Sequence, residues 1–366
     1  MKWLRFLFHS LVMTIHAGVV VLFLLSAFSD RISPETSTLF AYLGLGFPIF
    51  CLLNLCFTFY WLFTREWKYI WVGLLAFLFT WGQIKLYFPL HSPTTNIPED
   101  NSIKLLTYNI MAFGYKSHSE SKPNSTIQYL VQSGADIICL QEYAEDSQEK
   151  YLTKKKIYNE LKMYPYRSIF YFNKTGRIKQ GIAVFSKYPI SKSERIAYKS
   201  QYNGSAMCQI KVKGKILTVV NNHLESFKLT SEDRSRYSSF LKEMDSGNFE
   251  MLKGTINQKL GPAFQIRAEQ ARTIAQFCDT VKTDYLVVCG DFNDTPISYA
   301  HYTIQNNLID AFPESGRGMG ISYNENCFWF RIDHILHSKN MRSYNCTVDK
   351  VNNSDHYPMW CYLQLL

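Results

Sequence analysis

Acidic side chains are almost absent from the first ninety residues of this 366-residue chain. Only Asp30, Glu35 and Glu66 occur there, against Lys2, Arg5, Arg31, Arg65, Lys68 and Lys85. So little charge cannot clothe an ordinary globular domain, and the apolar residues gather into three runs. Residues 11–28 have His16 as their sole ionisable side chain, residues 39–63 carry no charge, and residues 69–84 are followed by Lys85 and an apolar tail to Leu90. A helix needs about 20 apolar residues to cross a bilayer, so spans are expected near 11–28, 39–63 and 69–90. Trp61, Trp67, Trp71 and Trp81 fall near the expected ends, where indole rings settle at the headgroup level, and Lys85 can snorkel there. A cleaved signal peptide is the other reading of the first run, but two more runs follow it and need a bilayer either way. No partner for His16 is evident in these runs, so it is expected to be a tolerated polar residue.

Basic residues set the expected orientation. Lys2 and Arg5 precede the first run and Arg65 and Lys68 separate the second from the third, whereas the intervening loop has Arg31 beside Asp30 and Glu35. The richer sides belong in the cytoplasm. That gives three crossings of an inner membrane and an extracytoplasmic carboxyl-terminal domain. The first ninety residues account for +3 of the net +9, leaving +6 on the remainder, which suits an anionic substrate or an acidic membrane surface. Cys139 and Cys289 lie in apolar runs and are expected as buried thiols; spacing leaves a Cys327–Cys346 disulfide open.

Three segments are therefore expected: a transmembrane region at 1–90, a proline-containing linker at 91–101 and a globular domain at 102–366. Within the last, short runs rich in β-branched and aromatic residues recur between turn residues. They are IKLLTYNI (103–110), ADIICLQE (135–142), GIAVFSK (181–187), ILTVVNNHL (216–224), DYLVVCGDFN (284–293) and RIDHILH (331–337). Each reads as a buried strand. Helical periodicity appears over 125–133 and 266–281. Mixed strands and helices with buried sheet faces imply an α/β sandwich. The polar stretch 228–261 reads as an insertion near the active end.

Polar residues cluster where these strands end: Asn109, Glu142, His223 with Glu225, Asp291 with Asn293, Asp333 with His334, and Asp355 with His356 near the carboxyl terminus. Each alone has a plain explanation as a cap, a turn or an Asx bond. Six such places together do not, because a strand end opening into a loop is where a rigid sheet can hold reactive groups at a common mouth. The ordered set LLTYNI, CLQE, NNHLES, GDFND, RIDHIL and SDHYP, spanning 103–362, resembles the endonuclease/exonuclease/phosphatase superfamily. The resemblance implies a four-layered α/β sandwich like deoxyribonuclease I, here preceded by about three transmembrane helices, and metal-assisted phosphoester hydrolysis.

It also implies roles. Asn109 and Glu142 would hold Mg2+ (or Mn2+), a hard ion that takes oxygen ligands, with Asp355 on metal or water. Asp291 would be the base for the attacking water, Asn293 its orienter, and His223 and His356 contacts to the phosphoryl oxygens, with Asp333 raising the pKa of His356. Glu225 is expected behind His223, His334 to point away as a structural residue, and His301 and His337 to lie at the surface. No Cys/His cluster has zinc-ligand spacing.

The histidine in NNHLES is similar to the deoxyribonuclease, sphingomyelinase and inositol-phosphatase branches rather than to abasic-site endonucleases. With the membrane region, this favours a phosphodiesterase or phosphatase acting on lipid head groups. A nonspecific extracytoplasmic nuclease, whose +6 domain would track a phosphate backbone, is the alternative. A catalytically inactive phosphate-binding adaptor is the reading from another class, and the complete motif set argues against it. Substrate choice is expected to lie in 172–176 and 228–261.

Overall fold

The computed structural model describes the chain except residues 1, 99, 120, 149, 174–175, 199, 201–202, 229–231, 233–253, 255 and 326–327. Its amino-terminal part is helical: α1 (Lys2–Ala27), α2 (Thr38–Leu45), α3 (Phe47–Phe63), α4 (Trp67–Phe79) and α5 (Trp81–Tyr87). Among the described residues, only α1 is by itself long and apolar enough to cross a membrane; the pairs α2/α3 and α4/α5 each pass as one span if their bends of 57° and 65° are included. The first run is thus one unbroken helix, whereas the second and third are each broken in two. Gly46 and Pro48 interrupt the first pair, where proline has no N–H for the preceding turn. Thr80 breaks the second and returns its Oγ1 to the Ala76 carbonyl at 2.9 Å. Arg5 and His9 meet Glu66 at 3.4 and 3.2 Å, so the amino terminus and the α3–α4 turn share one end of the bundle.

The absence of a partner for His16 is overturned. Its Nε2 lies 3.0 Å from Asn54 Oδ1, and the Trp61 indole donates to its Nδ1 at 3.0 Å.

The rest of the chain forms two six-stranded sheets. The first has the order β13-β14-β1-β2-β4-β3, from β1 (Ser102–Asn109), β2 (Ile137–Asp146), β3 (Tyr166–Asn173), β4 (Ile178–Ser186), β13 (Met341–Val348) and β14 (Met359–Leu365). The second has the order β5-β6-β7-β8-β12-β9, from β5 (Ile190–Ile196), β6 (Gly204–Val212), β7 (Lys215–His223), β8 (Tyr285–Asp291), β9 (Ile309–Asp310) and β12 (Asp333–His337). A two-stranded ribbon, β10 (Tyr323–Glu325) with β11 (Phe328–Phe330), stands apart. Each sheet has one parallel pair near its centre, β1 with β2 and β7 with β8.

Strand alternation sorts the apolar residues into layers. Leu105, Ile137, Cys139, Val219, Val287 and Cys289 face the gap between the sheets. Their neighbours Leu106, Ile138 and Leu140 face outward onto α7 (Ser125–Gln132) and α8 (Lys154–Glu160). On the far side, Val220, Val288 and Leu336 pack on α9 (Gly261–Thr280) and α10 (Tyr299–Gln305). The order helix, sheet, sheet, helix is the four-layered sandwich. One polar staple crosses its interior. Asn221 donates through Nδ2 to the Leu140 and Ala183 carbonyls of the other sheet, both at 3.1 Å, and accepts from Gln141 Nε2 at 2.6 Å.

Two joints with the helical region matter for function. Residues 91–101 are docked at their start: His91 N donates to the Gly316 carbonyl, and Thr94 exchanges two bonds with Asn345 at 2.7 and 2.8 Å. Ile297, six residues past Asp291, is buried in one cluster with Phe23, Ala27, Phe47, Ala76 and Tyr87.

Candidate active site

The sheets bring one end of their parallel pairs together. In the second sheet His223 lies opposite Asp291 on β8, and Asp291 lies opposite Asp333 on β12, so the three occupy one row across three strands. In the first sheet Asn109 ends β1, and Glu142 sits where β2 loses register with β4 between Leu140 and Tyr143. Glu142 and Asn293 both take left-handed backbone, with φ of 50° and 52°. Such strain in a non-glycine residue costs about 1–3 kcal/mol and persists where the surrounding structure over-determines it.

Asp291 Oδ2 is the hub. Asn109 Nδ2 donates to it at 3.0 Å and Asn293 Nδ2 at 3.2 Å, while His356 Nε2 and His223 Nε2 stand 3.6 and 3.7 Å away. Asn109 Nδ2 also reaches Glu142 Oε1 at 3.1 Å, and His223 Nε2 is 3.8 Å from that oxygen. Asn293 is pinned by its own N–H to Asp291 Oδ1 at 2.8 Å and by Nδ2 to the Leu224 carbonyl at 2.9 Å. His356 Nδ1 meets Asp333 Oδ2 at 2.8 Å, and the other Asp333 oxygen is buried without a hydrogen-bond partner among the described residues. Asp355 joins Asn109, Glu142, His223, Asp291, Asn293 and His356 on the wall of one cavity, with Asp333 behind His356. All eight residues singled out in the sequence therefore meet.

Their electrostatics divide the labour. Burial, then the Asp333 charge, pushes the Asp291 carboxyl up to about 6, against the pull of both histidines and Asn109. Burial also raises Glu142, opposed by the Asn109 bond. Burial works against a charged His356, but the Asp333 and Asp291 carboxylates outweigh it and hold the imidazole well above its ordinary value. His223 goes the other way, lowered by burial more than Asp291 raises it. One cationic donor and one neutral imidazole thus flank the same carboxylate.

Sequence reasoning missed several neighbours. Arg267 of α9 is fully buried between Phe227 and Phe264, 4.3 and 4.9 Å from their ring centres. Its Nε binds Asp294 Oδ2 at 3.1 Å and its Nη1 the Glu225 carbonyl at 2.8 Å, bracing both the GDFND and NNHLES loops. Tyr323 stands edge-on to His356 with ring centres 5.1 Å apart. An arginine inside a helix's apolar stripe was the available signal for the first; nothing in the sequence pointed to the second.

Other expectations have mixed outcomes. Glu225 stands behind the cavity wall, where its charge still reaches His223, and its carboxylate pairs with Lys228 Nζ at 2.6 Å and accepts from Ser200 Oγ at 3.1 Å. His301 and His337 are buried rather than at the surface, because carboxylates partner them: Asp310 with His301 at 3.1 Å, Glu314 with His337 at 2.8 Å. His334 is structural, as its place on the strand implied, bonding the Asp294 carbonyl at 3.0 Å. Cys346 is buried and Cys327 lies outside the described residues. So does most of 228–261, although Lys228 and Leu260 line the cavity. In 172–176, Phe172 lines an adjoining cleft with Tyr115 and Gln180.

Residues 106–356 match the model of the endonuclease/exonuclease/phosphatase family. The chain belongs to that family. It is accordingly a metal-dependent phosphoester hydrolase. Residues 9–87 match a family described only as a domain of unknown function. Among solved structures, an endonuclease/exonuclease/phosphatase from Beutenbergia cavernae DSM 12333 is similar at 14% identity and a TM-score of 0.51, over 72% of each chain. Sphingomyelinase C from Streptomyces griseocarneus (18% identity, TM-score 0.43) covers 71% of this chain and 99% of its own. TDP2 from D. rerio, complexed with a single-strand DNA product (14%, 0.48), covers 72% and 100%. At these identities the likeness bears on the fold alone. No curated protein matches the chain.

Proposed function

We propose that this family member is a magnesium-dependent hydrolase held at a membrane by its amino-terminal helices, with the sandwich on the extracytoplasmic side, acting on phosphoesters of lipid head groups. The observation that carries the catalytic part is the hub at Asp291, a buried carboxylate raised to about 6 and ringed by two amides and two imidazoles.

The donor set suits a hard cation: Glu142 and Asp355 offer carboxylate oxygens, and Asn109 offers a neutral one once its amide turns over to point Oδ1 inward. When bound there, Mg2+ (or Mn2+) would polarise a phosphoryl oxygen and offset charge in the transition state. Asp291 takes the proton of the attacking water as its oxygen bonds to phosphorus, and the bond from phosphorus to the alcohol oxygen breaks. A base with pKa near 6 is ionised at neutral pH yet basic enough for that transfer. Asn293, fixed at two ends, orients the water. Protonated His356, tethered by Asp333, donates to a phosphoryl oxygen, and neutral His223 makes a second contact from the other side. The departing alkoxide is protonated by solvent.

The lipid reading rests on the joint between the helices and the sandwich, which holds the cavity beside apolar segments. The test uses the full chain in detergent, with magnesium or EDTA and an Asp291→Ala control. Substrates are sphingomyelin vesicles, bis(p-nitrophenyl) phosphate, plasmid DNA and RNA. Metal-dependent cleavage lost in the control supports the mechanism. Preference for DNA or RNA, falling steeply with salt, would replace the lipid reading with the nuclease one. Silence on all four without magnesium binding would leave only the adaptor.

A further inference from the structure

The active-site cavity has two unlike ends. Its floor is the carboxylate and histidine cluster, while part of its wall is apolar: Leu45, Phe227, Leu260, Phe330 and Ile332. Four of these belong to the sandwich. Leu45 does not; it is the last residue of α2, immediately before the bend that turns the chain into α3.

Its place at the cavity is fixed by several independent joints. Gly44 packs so tightly that a Cβ there would stand 2.4 Å from Ser29 Oγ and 2.7 Å from the Ile297 carbonyl. Tyr42 meets Phe264 edge-on at 5.4 Å. Glu35 pairs with Arg272 at 2.7 Å, and Arg31 Nη1 donates to the Tyr302 hydroxyl at 2.9 Å. Arg331 bonds the Leu86 carbonyl, and Ile297 is buried among α1, α3, α4 and α5 side chains. These ties come from both ends of the helical region, so the sandwich does not swing on a leash.

We infer that Leu45 is a specificity-determining residue of a hydrocarbon subsite. With Phe330 and Ile332 it takes the apolar part of an amphiphilic phosphodiester whose phosphate lies on the Asp291 floor. The inference rests on the hydrolase reading proposed above and deepens it: a segment of the membrane region supplies part of the substrate wall. A nucleic acid would set its charged, hydrated backbone against that same apolar wall at a desolvation cost; an acyl-bearing phosphoester would bury hydrocarbon there and gain from it.

The test compares two diesters with the same scissile bond, methyl p-nitrophenyl phosphate and hexadecyl p-nitrophenyl phosphate, using the full chain in mixed micelles with magnesium. Wild type should show a kcat/KM at least about tenfold higher on the hexadecyl ester, the scale of discrimination an apolar pocket achieves. Leu45→Gln should collapse that ratio. Leu78→Gln should keep it, since Leu78 is exposed on α4 and does not line the cavity; this control separates the subsite from simple partitioning into micelles. Phe330→Ala makes the same demand from the sandwich side, should Leu45→Gln fail to fold. Equal rates on the two esters, or a ratio that neither Leu45→Gln nor Phe330→Ala alters, would overturn the subsite and leave the hydrolase reading standing. No hydrolysis of either ester by wild type would remove both.

Discussion

The helical region and the sandwich bury polar groups in opposite ways. Among α1, α3 and α4 the network is closed. The Trp61 indole can only donate, so His16 Nδ1 accepts and Nε2 carries the proton that goes to Asn54 Oδ1; the Asn54 amide then donates to the Gly73 carbonyl at 3.2 Å. Every donor in that set has its acceptor and no net charge results. In the sandwich, Glu142, Asp291, Asp333 and Asp355 converge with two amides and two imidazoles, and one Asp333 oxygen has no hydrogen-bond partner among the described residues. The first arrangement stabilises a bundle; the second places like charges together at a cost, as the proposed binding of a cation and an anionic substrate would require. Closed networks hold structure, and open ones do work.

The sharpest way to break this contrast is Asp291→Asn. Hydrolysis of bis(p-nitrophenyl) phosphate should fall about 10²–10⁴-fold with the proposed base gone. The thermal midpoint should hold or rise, because one of several mutually repelling buried carboxylates has been neutralised. A midpoint lowered by several degrees would place Asp291 with the structural residues instead. Next in size is Glu142→Gln. The magnesium concentration giving half-maximal rate should rise about 10–100-fold, with activity recovering at high magnesium. An unchanged titration would remove Glu142 from the ligand set.

A smaller effect is expected from Asp333→Asn, read as a pH profile. In the role proposed for it, His356 donates only while protonated, so activity on its account is lost as pH rises through its pKa. The Asp333 carboxylate helps hold that pKa above the ordinary value, placing the alkaline limb of the wild-type profile correspondingly high. Removing the charge lowers the pKa and moves the limb to lower pH. A limb that stays in place would mean Asp333 only orients the ring.

How much of this was legible in the sequence follows from the range of the interactions. The six runs read as strands are all strands, since alternation and β-branching are local properties. The strands β3, β5, β6, β13 and β14 went unread: KSERI in β5 is an exposed charged edge, and YRSIFYFN in β3 lacks clean alternation. The site residues stood out because each lies beside a run that was already readable. Arg267 and Tyr323 did not, because their roles exist only once distant segments meet. The break at Gly46 was readable from Gly-Phe-Pro, yet the apolar run concealed it, as hydropathy alone does not register backbone direction. His301 was misplaced for the same reason as His16: a buried histidine is expected only when its partner is known, and Asp310 and Asn54 lie on other elements.

The smallest effect tests the closed network. Asn54→Leu leaves the shape of the α1–α3–α4 interface nearly unchanged but strands the His16 Nε2 proton, while the Gly73 carbonyl keeps its partner within α4. In a membrane bundle such a loss is about 1–2 kcal/mol, read as a lowered midpoint for unfolding in detergent. Turnover on bis(p-nitrophenyl) phosphate should stay within about twofold, because Asn54 does not line the cavity and its effect should add independently of the site. The triple variant Asn54→Leu, His16→Leu, Trp61→Phe removes the stranded donor as well and should regain much of the lost stability, since replacing all partners by apolar groups is nearly neutral where replacing one is not. If Asn54→Leu instead abolished turnover while leaving the bundle stable, the polar core of the helices would be part of the catalytic apparatus, and the division between closed and open networks would fail where it is drawn.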